Sequence, residues 1–128
     1  MVMGMEVGLL FDAQRQLLSI RVSSPESALD SNCYDLLASD ARLARFFAIA
    51  KGDVPARHWF KLGCAATPES HGSALISWSG SMFEYPMPPL VMRSPSGSPL
   101  DETDRLIVRR QIEYGDMLGL PWGVSESD

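Results

Sequence analysis

A chain of 128 residues, 45% hydrophobic and 21% charged, suits one folded domain, and a net charge of −5 with scattered basic residues argues against a nucleic-acid partner. The opening Met1-Val2-Met3-Gly4-Met5-Glu6 lacks the basic and apolar regions of a signal peptide, and no apolar run reaches the roughly 18 residues of a membrane span, so a cytoplasmic protein with no span in this chain is expected. Cys33 and Cys64, far apart and without histidines at zinc spacing, indicate two reduced thiols, with neither a metal site nor a cofactor.

Two β-compatible runs, Val7 to Asp12 and Leu17 to Val22, flank the polar Ala13-Gln14-Arg15-Gln16 and predict a hairpin over about 7–22. Turn chemistry at Ser23-Ser24-Pro25 follows, then Asp30 and Ser31 as caps for a helix over about 32–51 that Gly52 stops. Residues 53–97 are rich in proline, glycine and serine and read as loops. They contain a short apolar run, Ala74 to Trp78, and a helical turn from about Ser81 that Pro86, Pro88 and Pro89 must shorten. A last helix is predicted over about 101–118, closed by Gly119 and Pro121.

On the first helix, a spacing of 100° per residue places Leu36, Asp40, Leu43 and Phe47 on one face and turns Arg42 and Arg45 away toward solvent. A carboxylate among apolar neighbours is costly unless it is paired or faces a wet cleft. Asp40 is therefore a candidate functional acid, with a structural aspartate that caps or pairs as the competing reading.

Two further stretches gather the side chains of a sugar cleft. Ser77-Trp78-Ser79-Gly80-Ser81-Met82-Phe83-Glu84-Tyr85 and Pro121-Trp122-Gly123-Val124-Ser125-Glu126-Ser127 combine flat aromatic faces, hydroxyls and carboxylates. Trp78, Tyr85 and Trp122 are candidates to stack on or border sugar rings, and Trp59 could do the same, although large aromatics also serve as core. Glu84 is a third acid of interest, for the site or for its support. Glu126 beside Trp122 is a candidate catalytic acid, and His58 is expected to pack at a helix end.

Phe11 to Ile20, Tyr34 to Leu43, Ala48 to Pro55, His58 to Gly63, Ser77 to Tyr85, Gln111 to Gly115 and Pro121 to Ser127 together resemble, in order, the glucoamylase-like domain of cyclic β-1,2-glucan synthases. The resemblance implies a mainly α chain with a small N-terminal β-hairpin, forming part of an α/α toroid, an (α/α)6 barrel. It also implies retaining transglycosylation that cyclises β-1,2-glucan. The acid/base role falls on Asp40 and the nucleophile on Glu126, with Trp78, Glu84, Tyr85 and Trp122 binding substrate. Similar proteins carry glutamate where this chain has Asp40, so the carboxyl is pulled back by about 1.5 Å, one carbon–carbon bond. Pro86 stands where leucine is usual, and Cys64 where arginine is usual.

A toroid of about twelve helices, each about 11–12 residues plus connections, exceeds 128 residues. The resemblance therefore implies a single truncated module over 1–128, weak or inactive alone, that takes β-1,2-glucan or a related oligosaccharide. Its uncovered inner faces would associate with further copies or with a completing partner chain. A noncatalytic self-associating or glucan-binding protein is the competing reading, and a free-standing hydrolase a third. Similar synthases are membrane-associated through other modules.

Overall fold

The computed structural model describes residues 4, 6–23, 28–69 and 71–125. The chain divides into two compact units, Met1–Asp35 with Ala41–Gly63, and Leu36–Asp40 with Cys64–Asp128.

In the first unit, strands β1 (Phe11–Asp12) and β2 (Leu17–Ser19) pair as a hairpin shorter than the one expected over about 7–22, because Val7–Leu10 is a 3-10 turn rather than a strand. Asp12 makes its turn: one carboxylate oxygen accepts from the backbone N–H groups of Gln14 at 2.9 Å and Arg15 at 3.1 Å. Gln16 then adopts φ 58°, a left-handed conformation held by its N–H donating to the Asp12 carbonyl at 2.8 Å. Strands β3 (Val22–Ser23) and β4 (Ala28–Leu29) pair in a two-stranded sheet. Strand β5 (Cys33–Tyr34) lies antiparallel beside β2, with Leu18 opposite Tyr34 and Ser19 opposite Cys33, completing the order β1-β2-β5.

Helix α1 covers Ala41–Lys51. It ends as expected at Gly52, whose φ of 89° lets the N–H of Asp53 reach back to the Ala48 carbonyl at 2.9 Å. Leu18, Ala48 and Val54 make the core of this unit, with Val7, Leu10, Phe11 and Ile49 packed around them.

The second unit is built on the ribbon β6 (Ala66–Glu69) and β7 (Gly72–Leu75), from Ala66 opposite Leu75 to Glu69 opposite Gly72. Helix α2 (Pro99–Leu118) packs on β7. Ser98 caps it by accepting from the Asp101 N–H at 3.2 Å, Pro99 occupies the first turn where its missing N–H costs nothing, and Gly119 ends it at φ 66°. Thr103 fastens helix to ribbon: its hydroxyl accepts from Leu75 N–H at 2.9 Å and donates to the Pro99 carbonyl at 2.6 Å. Ala38, Leu75 and Tyr85 form this unit's core, with Leu37, Leu100 and Ile107 against them.

The expected mainly α fold and partial α/α toroid are overturned. Among the described residues there are two α-helices, three short 3-10 turns and seven short strands in three small sheets. The cause is local. The helix expected over 32–51 begins only at Ala41, because the Asp30 carboxylate accepts from Asn32 N–H at 2.9 Å and commits that segment to a turn and then to β5. Within the stretch read as loops, Ala66–Glu69 and Gly72–Leu75 pair as the β6–β7 ribbon, and in the proline-rich segment after Tyr85 only a 3-10 turn forms, at Pro88–Leu90.

The helical face is corrected too. With α1 starting at Ala41, its buried residues are Ala41, Arg42, Arg45 and Ala48, while Leu43 and Phe47 are only half-buried. Arg42 and Arg45, expected in solvent, are 2% and 0% exposed. Small alanines on the same strip leave room for their long aliphatic stems.

Candidate saccharide-binding site

The two stretches rich in tryptophan and serine both belong to the second unit, and hydrogen bonds join them. The first, Ser77 to Tyr85, leaves the end of β7 as a loop closed on itself by serines. Gly80, at φ 73°, donates its N–H to the Ser77 hydroxyl at 3.0 Å, and Ser81 Oγ accepts from the Glu84 N–H at 3.2 Å. Ser81 thus caps a single turn over Ser81-Met82-Phe83-Glu84 with its side chain.

Glu84 is 5% exposed, and its carboxylate faces back into this loop. It accepts from the Trp78 N–H at 2.8 Å, the Ser79 N–H at 2.7 Å and the Ser79 hydroxyl at 2.7 Å. Burial alone would raise its pKa. The donors from Ser79, Trp78 and Ser77 outweigh that and hold the carboxyl below its ordinary value, so it is a buried anion fixed by the loop it closes. Tyr85 is similarly occupied: its hydroxyl donates to the Leu75 carbonyl at 2.7 Å and accepts from the Ser77 N–H at 2.9 Å. The other two aromatic residues of the loop are left outside, with Trp78 60% and Phe83 54% exposed.

The second stretch folds back after α2. The Leu120 N–H donates to the Gly115 carbonyl at 3.0 Å, and the Trp122 backbone lies so close over Gly115 that an added Cβ would sit 2.9 Å from Trp122 Cα. Only glycine gives the tail this approach to the helix. Met82 N–H donates to the Val124 carbonyl at 3.0 Å, which brings the two stretches together, and Trp122 remains 52% exposed.

Of the residues singled out from sequence, Trp78, Glu84, Tyr85 and Trp122 therefore share one region of the second unit. Their chemistry divides. The indoles of Trp78 and Trp122 are open to a ligand, whereas the polar groups of Glu84 and Tyr85 are consumed by the backbone. Asp40, half-buried, sits in the turn just before α1 rather than on a helical face. Glu126 lies outside the described residues.

Trp59 is half-buried in the 3-10 turn Ala56–Lys61 of the first unit, and His58 in the same turn is buried. The His58 ring meets the Gln16 carbonyl at 2.6 Å; a carbonyl only accepts, so Nδ1 carries the proton. Neither Cys33 nor Cys64 is in a disulfide, and among the described residues no cluster of three or more His, Cys, Asp or Glu could hold a metal ion. Among the same residues no helix is long and apolar enough to cross a membrane.

Sequence reasoning missed Gln111 as part of this region. Its side-chain oxygen accepts from the Val124 N–H at 2.9 Å and its amide nitrogen donates to the Gly80 carbonyl at 3.5 Å. It also missed the clamp by Glu84, whose partners Trp78 and Ser79 lie six and five residues earlier, outside what the Ser81-x-x-Glu84 spacing signals.

Comparison with known proteins finds a long match. Over 123 residues, 96% of this chain, the sequence is 54% identical to cyclic beta-(1,2)-glucan synthase NdvB of Rhizobium meliloti (strain 1021). The chain is related in sequence to that protein. It spans only 4% of that relative's length. No family model matches the chain.

Proposed function

We propose that this chain carries out part of the work of a cyclic β-1,2-glucan synthase, engaging β-1,2-glucan in the glucoamylase-like transglycosylating module of such a protein. The 54% identity to the synthase over 96% of this chain is the observation that carries this reading. The exposed indoles of Trp78 and Trp122 support it, because pyranose rings pack their apolar faces on aromatic planes.

The chemistry on this reading is retaining transfer. One acid, Asp40, protonates the leaving glycosidic oxygen while a second, Glu126, attacks the anomeric carbon and forms a glycosyl-enzyme. Asp40 then accepts a proton from an incoming sugar hydroxyl, which displaces Glu126 and regenerates both groups. Such a pair requires carboxyls about 5–5.5 Å apart. Aspartate at position 40 shortens the reach, and a misplacement of about 1 Å costs on the order of a hundredfold in rate. Slow turnover is the consequence.

A noncatalytic glucan-binding role is the second reading. It is favoured by the internal engagement of Glu84 and Tyr85, which leaves ring faces rather than acids open in the region that joins the two stretches. Incubation with linear β-1,2-glucan separates the two. Cyclic or shortened products that increase in Asp40→Glu and vanish in Glu126→Gln are expected for the transferase. Binding without turnover in every variant rejects catalysis and leaves the binding module, and neither binding nor turnover rejects both.

A further inference from the structure

Gln111 projects from the middle of α2 between the two tryptophan-bearing segments and makes opposite demands on them. The Gly80 carbonyl can only accept and the Val124 N–H can only donate, so the amide must turn its NH2 to the former, 3.5 Å away, and its oxygen to the latter, at 2.9 Å. The Met82 N–H, donating to the Val124 carbonyl at 3.0 Å, closes the loop of interactions from Gly80 through Gln111 and Val124 back to Met82. Trp78 stands two residues before Gly80, and Trp122 two residues before Val124.

Each indole also has a fixed backbone. Trp78 N–H is held by Glu84 at 2.8 Å, and the Trp122 backbone rests on Gly115. Both residues are more than half exposed, so the structure orders their attachment points and leaves much of each tryptophan to solvent.

We infer that Gln111 is a positioning residue that couples the Trp78 and Trp122 segments into one saccharide-binding surface. This rests on the glucan reading above and adds a named coupling group to it. Glutamine suits the position because one planar group supplies a donor and an acceptor together. Glutamate keeps the acceptor for Val124 and loses the donor for Gly80, while alanine loses both.

The test begins without ligand, on the full chain, by following the three indole N–H resonances and the amide exchange of Met82 and Val124. Gln111→Glu should shift the Trp78 and Trp122 indole signals while leaving that of Trp59 in place. Gln111→Ala should also speed exchange at Val124 about three- to tenfold, the equilibrium value of one net hydrogen bond. Titration with a linear β-1,2-glucan oligosaccharide should then perturb both indoles along a single binding curve in the native chain, and weaken about three- to tenfold in either variant.

Indole signals unmoved by Gln111→Glu, or glucan binding unchanged by both variants, overturn the positioning role while the glucan reading stands. No perturbation of either indole by the oligosaccharide in the native chain overturns the glucan reading and the positioning role with it, even if the ligand-free coupling is present.

Discussion

Replacing Glu84 by glutamine tests whether this acid holds its loop. Its carboxylate accepts three hydrogen bonds between 2.7 and 2.8 Å, two at one oxygen from Ser79 and one at the other from the Trp78 N–H. Glutamine can keep one oxygen acceptor. The lower-cost orientation leaves its oxygen with Ser79 and turns an NH2 group onto the Trp78 N–H, where two donors meet in a half-buried place. Leaving such a donor unsatisfied costs about 1–3 kcal/mol, and the bonds kept at Ser79 lose their charge-assisted strength of about 1.5–3 kcal/mol each in favour of about 1 kcal/mol. Since these bonds share one carboxylate, the terms do not simply add. A loss of about 2–4 kcal/mol near neutral pH is expected.

The pH dependence supplies a second signature. The folded-state pKa of Glu84 lies below its ordinary value of 4.5, so its stabilisation is fully present above that value and is lost as pH falls through the lower, folded-state pKa. Urea unfolding curves of native and Glu84→Gln chains should therefore differ at pH 7 and converge in acid, with Trp78 and Ser79 amide exchange accelerated in the variant. Equal stability and equal exchange at all pH values would refute the clamp. A variant that keeps its stability but loses glycosyl transfer would make Glu84 a reacting acid instead.

Gly115→Ala should detach the tail more than it harms the helix. The new Cβ would meet Trp122 Cα at 2.9 Å and the Leu120 carbonyl oxygen at 3.0 Å, forcing backbone to move, while alanine improves the helix itself by about 1 kcal/mol. Global stability should change little, and Trp122 should become more accessible to a fluorescence quencher; unchanged accessibility would contradict the packing. His58 predicts an acid-labile first unit. Burial first, and then the charge of Arg45, lower its pKa against the opposing pull of its bond to Gln16, below the ordinary 6.5. Neutral His58 thus contributes stability that is complete above about pH 6.5 and declines as pH falls from there through its folded-state pKa. His58→Phe should flatten the stability–pH curve in that window, and an undiminished slope would assign it to other groups.

The end of helix α2 was legible because its punctuation is local: Gly119 fits the left-handed stop whatever surrounds it, whereas the start, expected at about 101, lies at Pro99 with Ser98 as its cap. The end of α1 at Gly52 was legible for the same reason. Its start was not. A helical wheel carried back to Leu36 treated Asp30 and Ser31 as caps, whereas Asp30 folds its carboxylate onto Asn32 N–H and the strand β5 follows. That shift of onset also misplaced the buried face, and with it Arg42, Arg45 and the reading of Asp40 as a residue on an apolar stripe.

By itself the sequence determined the ingredients of the candidate site, its two tryptophan-bearing stretches and the helix between them, because residue type and turn chemistry act over a few positions. Only the tertiary structure decided which of those ingredients remain open. Glu84 and Tyr85 look like ligand groups as letters, yet they are taken up by backbone N–H and carbonyl groups of Leu75, Ser77, Trp78 and Ser79, while the indoles stay outside. The physical reason is that buried polar backbone must be satisfied by whichever side chain the fold brings within about 3 Å, and that partner is set by how the segment after β7 folds back on itself rather than by composition.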